Sequence, residues 1–238
     1  MSTLTRKLRA SAAGLLRRIK PDAQSSYAQC GEDIIIQYVF DALGVDDIRY
    51  LDVGAHHPSY LSNTYFFYLK GHQGVCVEPN ASLLAAFRQH RPRDCIVNIG
   101  VAPQEGVADF FVMTTPTLST FSREEAERVA SYGSERIEHI ERMPIRTINS
   151  VIAENFSNPP NLLSLDVEGL DLAILRSLDF ERYGPAIICV ETLSYTENHS
   201  EQKLTEIIDF VCAQGYFVYA DTFINSIFVR ADTWRKRG

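Results

Sequence analysis

Four apolar runs in this chain of 238 residues close on a carboxylate, and helix-length segments follow them. They are "YLDVG" at 50–54, "GVCVEP" at 74–79, "NLLSLDVEG" at 161–169 and "AIICVET" at 186–192. A short, unbroken apolar run reads as a strand buried on both faces. Such strands alternating with helices imply a mostly parallel sheet covered on both sides. Ligands of open α/β sheets bind outside the carboxyl ends of the strands, which is where these acids emerge.

The rest of the chain keeps this rhythm and breaks it once. Ile34, Ile35, Tyr38, Val39 and Leu43 fall at helical spacing before Gly44. "SNTYFFYLKG" predicts a helix capped by Ser or Asn, and "NASLLAAFRQHRP" one capped by Asn80 and closed by Pro92. "CIVNIGVA" reads as a third strand and "GVADFFVMT" as a fourth. Residues 115–142 are polar and charged, with a helix expected after Ser122; an excursion of this kind covers a site or forms a solvated insertion. Helices are expected over "DLAILRSLDFERY" and "SEQKLTEIIDFVCAQGY", and the last two β-rich runs, around "ADTFIN", read as an antiparallel hairpin.

Charge divides the chain. Residues 1–24 form a basic arm holding Arg6, Lys7, Arg9, Arg17, Arg18 and Lys20 and no acid before Asp22, so the domain expected over 25–238 is more acidic than the formal total of −7. An acidic body argues against nucleic acid as a partner, because phosphate contacts need clustered Lys and Arg. Leu4, Leu8, Leu15, Leu16 and Ile19 could line one side of the arm, which permits either a peripheral membrane contact or a solvated extension. No apolar run approaches the ~20 residues of a membrane span, and no secretory signal is visible. The five cysteines lack CxxC spacing; Cys76, Cys95 and Cys189 sit in apolar runs and read as reduced core residues of a cytoplasmic protein.

Asp52 and Glu78 end successive strands, a separation that suits an acid accepting hydrogen bonds from ribose hydroxyls. The loop after Gly54 reads "AHHPS", without the GxGxxG that lets backbone approach a pyrophosphate. An adenosine ligand without phosphates, S-adenosylmethionine, fits better than NAD. His56 and His57 point to opposite sides if extended, so they are poor partners for one metal; one of them can line the cofactor mouth as a base, or both can shape the turn before Pro58. Asp166, Glu168 and Glu191 close neighbouring strands and could share Mg²⁺, or stand as separate solvated strand ends. Asp171 suits a helix N-terminus. His199 is a further base candidate, or an exposed residue before a helix.

From about Ser26 to Trp234 the chain resembles the FkbM-type S-adenosylmethionine-dependent methyltransferases. The resemblance rests on "YAQCGED", "YLDVGAHHPSYLSNTYFFYLKGHQG", "VEPN", "TLSTFS", "RTINSV", "LSLDVEGLDLAIL" and "NSIFVRAD", in that order. It implies a class I methyltransferase fold: an α/β Rossmann-like three-layer sandwich with a seven-stranded, mostly parallel sheet and an antiparallel last strand. It also implies methyl transfer to a hydroxyl of a sugar, glycan or secondary metabolite. By the same resemblance Gln29, Glu32, Asp52, Gly54, Asn63, Thr64, Glu78 and Asn80 are cofactor-binding positions, Asp166 and Glu168 the acids beneath the transferring methyl, and Asp166 and Glu191 candidate magnesium ligands. The rival readings are an NAD-linked oxidoreductase and a non-catalytic binding module of the same fold. Nothing in the sequence sets an oligomeric state.

Overall fold

A computed structural model describes residues 24–194 and 201–236. The basic arm, apart from Gln24, and His199 lie outside the described residues. The main sheet contains β1 (Arg49–Val53), β2 (Gln73–Val77) and β3 (Cys95–Val97). The chain then leaves it for β4 (Gly100–Val101), β5 (Gly106–Met113) and β6 (Ile137–Arg146). It returns through β7 (Leu162–Leu165), β8 (Ile187–Glu191), β9 (Tyr216–Asp221) and β10 (Asn225–Arg230).

Seven strands pair in the order β3-β2-β1-β7-β8-β10-β9. All neighbours are parallel from β3 to β8, and β10 runs antiparallel to both β8 and β9. The sheet is therefore the Rossmann-like, three-layer arrangement expected. One detail differs. The terminal hairpin does not simply extend the edge: β10 inserts between β8 and β9, leaving β9 outermost.

The two faces follow from the pleat, because successive side chains of a strand point to opposite sides. Leu51, Val53, Leu163, Leu165, Ile188 and Val190 pack with the helices Ile148–Asn155, Asp171–Ser177 and Thr205–Ala213. Tyr50, Cys76, Leu162, Ile187 and Cys189 pack on the other side with the helices Glu32–Leu43, Tyr65–Leu69 and Leu84–His90. Asp52 and Ser164 belong to this second face by alternation and are buried at the site end of it. Cys95, expected in the core, is exposed at the start of the edge strand β3.

The excursion contains more strand than its sequence suggested. The helix after Ser122 is present as Arg123–Ala130, with the Ser122 hydroxyl accepting from the Glu125 N–H. However, β6 fills 137–146 and pairs antiparallel with β5 and parallel with β4. Thus "CIVNIGVA" is two strands in two sheets, and the fourth strand belongs to the smaller one.

A charged pair sits inside the second face. The Arg91 guanidinium is fully enclosed, and its Nε donates to Asp94 Oδ2 at 2.6 Å. Asp94 Oδ1 accepts from the Tyr50 hydroxyl at 2.7 Å and from the Gly74 N–H at 2.9 Å, joining β1 to β2. Arg91 Nη2 donates to Thr64 Oγ1 at 3.0 Å, and that hydroxyl donates to Asp52 Oδ2 at 2.5 Å. Losing one partner of such a pair strands a buried charge. Arg91→Leu is expected to destabilise the protein by about 3–5 kcal/mol in urea unfolding. Arg91→Leu with Asp94→Asn should cost less than the two single changes added together; simple additivity would show that the groups do not act as a unit.

Candidate active site

The site lies along the carboxyl ends of β1, β2, β7 and β8. Gly54 ends β1 at φ 79°, and a Cβ there would meet the Asp166 carbonyl oxygen at 1.7 Å. Only glycine permits this approach of β1 to β7. Both the Gly54 and Ala55 N–H groups donate to the Val77 carbonyl at 3.1 Å, so neither faces a ligand phosphate. The helix that follows starts only at Tyr65. The turn is not built like a pyrophosphate loop.

Glu78 is buried and holds two loops. Its Oε2 accepts from the His56 N–H and its Oε1 from the Asn80 N–H, both at 2.7 Å. The first bond accompanies an unusual backbone at His56, φ 46°. Burial pushes the Glu78 carboxyl up to about 7, against the pull of these two N–H groups. Each oxygen keeps a further lone pair for a ligand hydroxyl.

Three connected chambers form one trough. The first runs from Glu78 between apolar walls that include Val77, Ile99, Phe110 and Phe121. The second is bordered by Gln29, Asn63 and Ser164, with Asp52 on its floor. The third lies between Glu191 and Lys203, with Glu125 and Arg128 contributed by the helix of the excursion. Gly54, His56, Thr117 and Asp166 border the first two, Glu191 the last two, and Glu168 all three.

Carboxylates crowd the centre. Asp166, Glu168 and Glu191 each place an oxygen within 4.8 Å of the others. Burial among protein atoms, then repulsion from Asp171 and Asp52, raises the Asp166 carboxyl; solvent still reaches it through the open trough, which tempers the rise. Glu168 and Glu191 are likewise raised, by burial first and by the neighbouring acids second. Such a cluster relieves its repulsion by keeping a proton or by binding a cation. Its all-oxygen donor set fits Mg²⁺. Asp171, held at the start of its helix, accepts from the Val167 and Gly169 N–H groups and so closes the turn that carries Glu168. Glu168 itself has φ 52°, and its carbonyl accepts from Thr120 Oγ1 at 2.7 Å.

The expected site residues divide into two groups. Gln29, Asp52, Gly54, His56, Asn63, Glu78, Asp166, Glu168 and Glu191 all border the trough. Glu32, Thr64, Asn80 and His57 are engaged elsewhere. Glu32 is fully buried and accepts from the Cys30 N–H, the Thr222 hydroxyl and the Asn225 amide. Thr64 stands beneath Asp52, and Asn80 caps the following turn through Ser82. His57 Nδ1 accepts from the Ser59 and Tyr60 N–H groups at 3.1 and 2.9 Å, so this ring shapes the turn. Sequence reasoning missed Arg91 and Asn98, whose amide donates to the Glu78 and Pro79 carbonyls at 2.8 and 2.7 Å. The "RPRD" run gave no sign that its first arginine is buried.

A Rossmann-like sheet whose strands end in a glycine turn, a loop-tying glutamate and an acid cluster has the architecture of an adenosine-binding transferase. Residues 52–218 match the family model described as the Methyltransferase FkbM domain. That span is well over half of the chain, and the protein belongs to this family: it is an S-adenosylmethionine-dependent methyltransferase. A search of curated proteins gives no match. Among the described residues no helix is long and apolar enough to cross a membrane.

The pH dependence of stability should report on Glu78. In the ligand-free fold this carboxyl stays protonated to about pH 7, whereas the unfolded chain ionises near the ordinary 4.5. The stability linked to Glu78 is therefore fully present below pH 4.5 and is lost as pH rises through 7. Glu78→Gln removes that component, on the order of 3 kcal/mol across the window. Unfolding curves of both proteins from about pH 4 to about pH 8 measure it; parallel curves would contradict the assignment.

Proposed function

We propose that this protein transfers a methyl group from S-adenosylmethionine to a hydroxyl oxygen of a sugar, glycan or secondary metabolite. The observation that carries the reading is the continuous trough from Glu78, past Asn63 and Asp166, to the chamber beyond Glu168 and Glu191. Glu78 would accept the two ribose hydroxyls, and the apolar walls of the first chamber would enclose the adenine. Gln29 and Asn63 would orient the amino-acid end in the second chamber. When bound, S-adenosylmethionine supplies a methyl group made electrophilic by its positive sulfur.

The chain itself must align the acceptor oxygen and take its proton. His56 suits the second task. Burial, and after it His57, holds its imidazole below the usual range, so the ring is neutral and able to accept a proton at physiological pH. Glu168, at the junction of all three chambers, is the alternative acceptor once its cluster has lost its proton. Asp166, Glu168 and Glu191 would hold Mg²⁺, which lowers the pKa of a bound hydroxyl. Thr117 to Phe121 close one side of the trough, which supports a covering role for the excursion.

Calorimetric titration with S-adenosylhomocysteine, with NAD as the control, tests the cofactor assignment. Binding of the first alone is expected, weakened about 10- to 100-fold in Glu78→Ala, the worth of two hydrogen bonds to a charged group. No binding, or equal binding of NAD, would overturn the reading. The metal assignment is tested by melting. Millimolar Mg²⁺ should raise the melting temperature of the wild type. Glu191→Gln should melt higher without metal, because repulsion is relieved, and should show no Mg²⁺ increment.

A further inference from the structure

The trough opens on a rim that is apolar where a solvated edge would be polar. Tyr60 and Phe223 are 63% and 64% exposed, and Leu61 and Leu204 stand partly clear of the surface beside them. Leu61 and Phe223 also hold positive φ, 53° and 76°. A bulky apolar residue is a poor choice there, since glycine, asparagine or aspartate meets the same backbone at lower cost. The fold thus accepts backbone strain in order to present apolar side chains to solvent. Strain of this kind gathers where function requires a particular presentation.

These residues form one connected edge. Lys203 Nζ donates to the Phe223 carbonyl at 2.7 Å, which joins Leu204 to the β9–β10 turn. Thr222 and Cys30 both donate to Glu32, linking that turn to the segment before the first described helix. The Tyr27 carbonyl then accepts from the Ser62 N–H at 2.9 Å, next to Leu61. The described chain, which begins at Gln24, therefore enters the fold at this rim. The sequence before it carries six Lys and Arg side chains, and the leucines and isoleucine of a ragged apolar stripe. Asp221, an acid on the rim, is already paired with Lys203 at 2.8 Å.

We propose that this edge docks on an anionic lipid bilayer. Tyr60, Leu61, Leu204 and Phe223 enter the headgroup layer while the neighbouring arm supplies the positive charge that the acidic body lacks. Reversible attachment to a membrane needs two such signals acting together, one apolar and one electrostatic. The docking depends on the rim and the arm alone, and does not rest on the cofactor assignment above.

Vesicle co-sedimentation of the full chain tests it, with phosphatidylcholine vesicles and with vesicles also containing phosphatidylserine. Binding is expected to the anionic vesicles only, and to be lost in high salt. Tyr60→Ser with Phe223→Gly should weaken it about tenfold, by loss of two apolar contacts. Phe223→Gly relieves the strained φ, so its melting temperature should stay level or rise, and weaker binding could not be ascribed to misfolding. Replacing the six arm cations with Gln should abolish binding. No binding to anionic vesicles, or rim variants that bind as wild type, would overturn the proposal. So would self-association of the free protein that the rim variants abolish without changing vesicle binding.

Discussion

The enclosed Arg91 guanidinium fixes the arrangement on which both sheet and site rest. Taking a charge out of water costs several kcal/mol, and only a dense set of partners offsets it. Here Asp94 takes the Nε proton, the rings of Tyr50, Tyr68 and Phe87 surround the cation, and Thr64 passes the contact on to Asp52. Asp94 in turn ties Tyr50 of β1 to Gly74 of β2. Burial raises the Asp52 carboxyl, and the positive charge of Arg91 and the hydroxyl of Thr64 draw it back. One arginine thus sets the spacing of two strands and the ionisation of the acid at the end of the first. The floor of the trough is part of the core.

Above that floor the chemistry comes from crowding. Glu78 lies where burial opposes its charge, and Asp166, Glu168 and Glu191 lie where each opposes the others. A ligand with hydroxyls, or a divalent cation, satisfies groups that the empty fold leaves in tension. Glu168 is held in that tension twice over, by the carboxylate of Asp171 closing its turn and by Thr120 reaching across from the excursion. Among the described residues the four non-glycine positions with positive φ are His56, Leu61, Glu168 and Phe223. All four lie on the ligand-facing edge of the sheet, the pattern of a fold that places its strain where it works.

Much of this was legible in the sequence, for physical reasons that also mark the limits. The strands of the main sheet are buried on both faces, so they read as unbroken apolar runs, and their closing acids could be found at once. β6 could not. Its side chains are exposed at Glu138 through Arg142, with Met143 the buried exception, so it shows neither an apolar run nor alternation. The order of β9 and β10 was hidden because a hairpin pattern gives pairing and not the neighbour on its far side. Site positions were legible as positions and less so as roles. Glu32 and Thr64 sit close to the trough yet serve the frame, because a carboxylate that binds a ligand and one that binds backbone look the same in one dimension. Arg91 had no signal, since its burial depends on Tyr50, Thr64 and Asp94 brought together only by the fold.

The insertion of β10 between β8 and β9 bears on how the molecule is made. Asn225, at the start of β10, pairs with β8 and also donates to Glu32 across 193 positions of sequence at 3.0 Å. A nascent chain emerging from the ribosome can assemble β1, β2, β3, β7 and β8 in order. It cannot seat its own first helix or complete its sheet until the last strand has been translated, because the place beside β8 is reserved for that strand. Contacts of such long range close slowly. The protein therefore finishes folding from the middle outward, and its two most distant segments are joined in a single late step.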